Sequence, residues 1–140
     1  MKKVVFISVP YSADTERGVE LSKLGGKYVR QVGKVPFSPV LNFRYFYDNG
    51  NEYEAVLQDC LTVLKRCDEA LFIETESGLS KGQSMEYAAA VSIMPCETVT
   101  YEILTALVDI KSKQVCSCSF YSIKKALKTV GIPVTPNKDY

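Results

Sequence analysis

Four short apolar runs, each separated from the next by a stretch of helical periodicity, constrain this chain more than any other feature. The runs are residues 4–9 (with Val4, Val5, Phe6 and Ile7), 35–40, 70–73 (Ala70, Leu71, Phe72, Ile73) and 97–103 (with the β-branched Thr98, Val99 and Thr100). The first and third, apolar runs bounded by turn residues, suit strands of a parallel sheet covered on both faces, while the second reads as a short strand and the fourth as a β-branched one. Between them, Leu21, Leu24, Tyr28, Val29 and Val32 form one apolar face with Gly33 as a stop. Tyr53, Val56, Leu57, Cys60, Leu61 and Leu64 form a second such face within residues 52–66. A third helix opens at Ser80 and is expected to run to about Met94, where Pro95 ends it. Residues 104–113 look more helical than extended, and residues 119–130 form a last amphipathic helix with Phe120, Ile123 and Leu127 on one face. Strands alternating with helices imply an α/β fold: a flavodoxin-like or Rossmann-like, doubly wound parallel sheet of four to five strands between two helical layers. Pro36 and Pro39 confine the second strand to a sheet edge, where the 2-1-3-4-5 order of flavodoxin-like sheets places it. Ser12 or Asp14 is the candidate cap of the first helix. Gly25 and Gly26 inside that helix cost about 1 kcal/mol each relative to alanine, which a close approach to the sheet would explain.

A chain of 140 residues forms one domain with a real core, so residues 1–140 are taken as a single unit. Seventeen basic against sixteen acidic side chains leave +1, which argues against a nucleic-acid polymer or an anionic membrane as partner. No apolar run approaches the roughly 18 residues of a membrane span, and Pro10 cuts the first one too short for a signal peptide. The absence of histidine removes Ser-His and Cys-His nucleophile pairs and histidine metal sites. Five cysteines (Cys60, Cys67, Cys96, Cys116, Cys118) are an odd number in apolar surroundings, as expected of thiols in a reducing cytoplasm. Cys116 and Cys118 have no second pair at metal-ligand spacing, so neither a metal nor another cofactor is expected.

The chemistry-bearing stretch is 79–90. Ser80 with Gln83 three residues on is a capping-box signal, and Glu86 follows about a turn and a half into the helix. Ala89 and Ala90 follow at i+3 and i+4 on the same face. A carboxylate there, beyond the carboxyl end of a parallel strand, faces the crevice where such sheets bind ligands. Ser80 is either a cap alone or, with Gly82 and Lys81, part of an anion site at a helix N-terminus; the GxxxxGK[ST] phosphate loop is absent. Glu86 is either a solvated helix residue or a fixed carboxylate that the helix's positive end keeps ionised at neutral pH. In the second case it suits attack on an electrophilic sugar carbon. Residues 41–51 form a loop with Phe43, Tyr45, Phe46 and Tyr47, which stack on a planar ligand, meet another subunit or tuck onto the core.

Ile7-Ser8-Val9-Pro10-Tyr11, Pro36-Phe37-Ser38-Pro39, Cys67-Asp68-Glu69-Ala70-Leu71 and the run from Ser77 to Glu86 share an order and spacing. In these the chain resembles the nucleoside 2-deoxyribosyltransferase-like superfamily over residues 1–95. The resemblance implies that Glu86 is the nucleophile on C1′ of a 2-deoxyribose, with transfer to another base or hydrolysis by water as outcomes. It implies that Ser80 contacts the 5′ end of the sugar. Relatives acting on nucleosides carry Asp at that place and those hydrolysing nucleoside 5′-monophosphates carry Ser, so a nucleotide substrate is expected. Ser8, Pro10, Tyr11, Asn42 and Gly82 are the further expected substrate contacts. The chain departs from the pattern at Phe6, where a tyrosine usually bonds the nucleophile; Tyr11 either replaces it or only lines the pocket. It departs again at Cys60, where the family has an Asp on the preceding helix. Asp59, next to Cys60, either reaches the pocket to hold the leaving base or is an exposed helix charge. The implied partners are a small nucleoside or nucleotide and further copies of the chain, in a homodimer or larger assembly. Residues 136–140 either help close a neighbour's site or form a frayed tail. The alternatives are a protein that binds or sequesters nucleotides without turning them over, and a structural subunit whose aromatic loop closes the crevice.

Overall fold

The computed structural model describes residues 1–11, 14–44, 46 and 52–114, the last two by backbone alone. Four strands, β1 (Val4–Ser8), β2 (Val35–Phe37), β3 (Glu69–Glu74) and β4 (Cys96–Thr100), form one sheet in the order β2-β1-β3-β4. Every pairing is parallel. Five helices complete the described chain: α1 (Thr15–Gln31), α2 (Pro39–Phe43), α3 (Tyr53–Leu64), α4 (Lys81–Ala90) and α5 (Tyr101–Gln114). This is the expected doubly wound α/β architecture, with four strands among the described residues and the proline-bearing β2 at an edge.

Side-chain alternation along the strands divides the core in two. Val5, Ile7, Leu71, Ile73 and Val99 face α1 and α5, where Leu21, Val29 and Leu104 meet them. Phe6, Ala70 and Phe72 face the other way, against Cys60 and Leu64 of α3 and Ala90 of α4. Burial of each of these large side chains contributes about 1.5–3 kcal/mol, so the central strands β1 and β3, covered on both faces, anchor the fold. Asp14 caps α1 by accepting the Arg17 backbone N–H at 3.0 Å. At the other end the Lys34 N–H returns to the Val29 carbonyl across Gly33, whose φ is 82°.

Gly25 explains itself by contact. A Cβ there would lie 2.8 Å from Ile73 Cδ1 and 3.1 Å from Ile7 Cγ2, so α1 lies closer to the sheet than any side chain allows. Gly26 has no such need, its nearest neighbours being 3.9 Å away.

Three boundaries differ from the sequence reading by three residues or more. The second apolar run is strand only as far as Phe37, because Ser38 accepts the Leu41 N–H and Pro39 occupies the first helical position of α2. The first part of the expected 41–51 loop is therefore helical; residues 45 and 47–51 lie outside the described residues. α4 stops at Ala90, whose carbonyl takes both the Ile93 and Met94 N–H groups in a tight turn. Pro95 keeps Met94 out of the helical region, and β4 begins one residue later. Finally, β4 gives way to α5 at Tyr101 because the Thr100 hydroxyl accepts the Ile103 N–H at 3.3 Å and starts the helix. The expected 119–130 helix lies outside the described residues. Among those residues no helix is long and apolar enough to cross a membrane.

The Gly25 contact has a measurable consequence. Gly25→Val should destabilise the protein by about 1–3 kcal/mol through overpacking, seen as a lower urea midpoint at unchanged slope. Gly26→Ala should be neutral or stabilising by up to about 1 kcal/mol.

Candidate functional site

The site is assembled at the carboxyl ends of the two central strands. β3 ends at Glu74, and a turn closed by the Gly78 N–H on the Thr75 carbonyl brings the chain to Ser80. There the capping box forms in full. The Gln83 backbone N–H donates to Ser80 Oγ at 3.2 Å, and the Ser80 N–H donates to Gln83 Oε1 at 2.9 Å.

Gln83 does more than cap. Its side chain is 1 % exposed, and its Nε2 donates to the Ile73 carbonyl at 2.8 Å and the Ser8 carbonyl at 3.1 Å. Carbonyl oxygen and amide protons of one buried side chain thus tie the first turn of α4 to the ends of β1 and β3. One turn further on, Glu86 is 8 % exposed, and its Oε1 accepts the Ser8 hydroxyl at 2.8 Å. Gln83 and Glu86 share one face of α4, and both hold Ser8.

Burial controls the charge of Glu86. Its pKa is raised from 4.5 to about 7, chiefly by removal from water, with the Ser8 hydrogen bond pulling the other way. The expectation that the helix's positive end keeps this carboxylate ionised is therefore corrected. Glu86 is the sixth residue of α4, beyond the first turn where that field acts, and desolvation prevails. Near neutral pH the side chain is divided between acid and carboxylate. Cys60 on α3 shares this environment: its thiol is pushed up to about 12 by burial and then by the charges of Glu86 and Asp59. It stays protonated and is no nucleophile.

The other expected residues distribute unevenly. Ser8 is present, but as the hydrogen-bond partner of Glu86 rather than as a group open to substrate; it is 2 % exposed. Ser80 and Gly82 are half-buried at the start of α4, with Tyr53 Oη 3.4 Å from where a Cβ on Gly82 would sit. Pro10 and Tyr11 are half-buried and lean on the first turn of α1, where a Cβ on Gly18 would meet Tyr11 Cδ2 at 2.8 Å and the Pro10 carbonyl at 2.9 Å. Asp59 is half-buried beside Cys60, on whose thiol its charge acts. Asn42 is exposed on α2. Phe6 lies in the core, stacked on Phe37 with ring centroids 6.3 Å apart. It offers no hydrogen bond, and the donor to Glu86 comes instead from Ser8, two residues further along the same strand face.

The tether through Gln83 was not legible in the sequence. The capping box accounts for its oxygen alone, and nothing local shows where the amide protons go. At the opposite, amino end of the sheet a cavity of about 250 Å³ is bordered by Val5, Tyr28, Val29 and Glu97, beside the Lys34–Glu69 ion pair at 2.6 Å. It is remote from Glu86. Among the described residues no group of three Cys, Asp or Glu side chains is placed to share a metal ion.

The raised Glu86 pKa sets a pH dependence of stability. The folded state holds this proton more tightly than the unfolded chain, so the group's contribution is fully present below about 4.5 and is lost as the pH rises through about 7. Glu86→Gln removes that titration. The variant should be more stable than the parent at pH 8, by up to about 3 kcal/mol, and near parity at pH 4.5, measured by urea denaturation at both.

Comparison with known proteins gives a family but no activity. Among curated proteins none matches the chain. The model of a domain of unknown function, DUF7768, matches residues 3–96, from β1 through the whole of the Glu86 site, and the chain belongs to that family.

Proposed function

We propose that the protein cleaves or transfers at the N-glycosidic bond of a 2′-deoxynucleoside 5′-monophosphate or deoxynucleoside, with Glu86 as nucleophile. The observation that carries this reading is the Glu86 carboxyl itself. It is buried, hydrogen-bonded and held about a turn and a half from a capped helix N-terminus, beyond the carboxyl ends of parallel strands. The resemblance of residues 1–95 to nucleoside 2-deoxyribosyltransferase-like proteins supplies the reaction class.

In this mechanism a Glu86 oxygen attacks C1′. The bond from C1′ to the base nitrogen breaks, and its electron pair leaves with the base, which Asp59 holds and which takes a proton from water. Water, or a second base, then attacks C1′ and frees Glu86. The N–H groups around Gly82 and the Ser80 hydroxyl receive the 5′ end; a neutral residue there tolerates a phosphate that a carboxylate would repel. Attack requires the ionised form, so burial keeps the nucleophile poorly solvated and reactive while limiting how much of it is charged at pH 7. Assembly with further copies of the chain and a cytoplasmic setting accompany this reading.

A second reading rests on Cys60. A thiol pushed up to about 12 stands where the resemblance places an acid, and it supplies no proton to a departing base. On that reading the crevice holds nucleotides without turnover.

Incubation with deoxynucleoside 5′-monophosphates and a second free base, followed by product separation, tests the proposal. Base release should fall at least about 10³-fold in Glu86→Ala and should decline as pH drops through about 7. Ser80→Asp should shift preference from the monophosphate to the nucleoside. Unchanged base release in Glu86→Ala removes the mechanism, and tight calorimetric binding without turnover selects the second reading.

A further inference from the structure

We propose that Ser8 is the positioning residue of the Glu86 carboxylate: the end of β1, through one serine, sets both the direction and the charge of the group on α4. The inference rests on the preceding reading for its catalytic consequence, but its geometry stands independently. Ser8 is the last residue of β1, paired in register with Phe72 of β3, and is 2 % exposed. It is gripped twice by α4, its carbonyl accepting from Gln83 Nε2 at 3.1 Å and its hydroxyl donating to Glu86 Oε1 at 2.8 Å. The two grips are three residues apart on one helix face. They therefore fix the rotation of α4 about its own axis as well as its height above the sheet.

The hydroxyl is the element of choice for this task in this chain. Phe6, on the same strand face, has no donor and is committed to the core. The Cys60 thiol is a weak donor that stays protonated. The other titratable side chains on the elements packed around Glu86 are Tyr53, Glu54 and Asp59 of α3, Glu69 and Glu74 at the two ends of β3, and Lys81 and Tyr87 of α4. Burial and the Ser8 hydroxyl, not these charges, are what move Glu86. A hydrogen bond to a charged acceptor is about twice as strong as one to a neutral acceptor. Ser8 accordingly favours the carboxylate over the acid and offsets part of the desolvation that favours the acid. With Oε1 engaged by Ser8, Oε2 is the oxygen left for attack in the proposed reaction.

The test is Ser8→Ala against Ser8→Thr, which keeps the hydroxyl. The Glu86 carboxyl titration is followed by carbon-13 NMR on the folded protein, and kcat and KM are measured across pH. In Ser8→Ala the Glu86 midpoint should rise by about one pH unit. At pH 7 kcat should fall about tenfold or more with KM within about twofold, because binding groups are untouched. Ser8→Thr should restore both. A midpoint and kcat in Ser8→Ala matching the parent overturn the proposal, as does a loss that Ser8→Thr fails to restore. If Ser8→Ala does not fold, Ser8→Cys, similar in size and a weak donor, is titrated in its place with the same expectation. A shifted midpoint in a protein that releases no base supports the role of Ser8 and removes the glycosidic reading, so the two failures are distinguishable.

Discussion

One buried amide fixes the geometry of the candidate site. Gln83 spends its oxygen on the cap of its own helix and its amide protons on the ends of β1 and β3. A polar side chain in this position is costly to bury unless every group is matched, and here the matches run to three separate segments of chain. The result is a helix that cannot slide or turn relative to the sheet without breaking them. Glu86, one turn on, inherits that rigidity, and its carboxyl meets the Ser8 hydroxyl.

Two opposing fields act on that carboxyl. The partial positive charge of a helix N-terminus favours ionisation but fades within a turn; desolvation favours the neutral acid and grows with depth. At the sixth helical position, with the side chain almost fully covered, depth wins. A single hydroxyl then moderates the outcome. The same burial governs Cys60, whose thiol is kept from ionising by its surroundings and by the two carboxylates near it. The α3–α4 face of the sheet is thus a place where proton affinities are set by exclusion of water rather than by ion pairs. The ion pairs of Glu69 with Lys3 and Lys34 lie at the amino end of the strands, away from it.

The free thiols of Cys60, Cys67 and Cys96 lie in or against the core, where each packs as a small apolar group. Loop conformation is treated by packing in a similar way. Gly18 lets Pro10 and Tyr11 rest on α1, and Arg17 links Glu76 of the turn after β3 to the Tyr101 ring at the start of α5. The loops beyond the strand ends are held against the helices that border the crevice.

The sequence by itself determined the architecture. Strand runs of apolar residues, helix faces at a period of 3.6 and Pro36 within the second strand pointed to element type, layer order and the edge position of β2, because these depend on local periodicity and on backbone groups each residue carries. Pro39, also read as strand, instead starts α2. It also determined the Ser80–Gln83 cap, a contact spanning three residues. What it placed less well were element ends, at Phe37, Ala90 and Thr100, where short-range caps compete with continuing the pattern. Tertiary structure alone decided the rest. The pairing of Ser8 with Glu86 joins residues 78 apart in the chain, and the far ends of the Gln83 amide lie on two strands. The charge state of Glu86 follows from how completely those strands and helices exclude water. No local pattern carries that information, because desolvation is a property of the packed neighbourhood and not of the helix that bears the side chain.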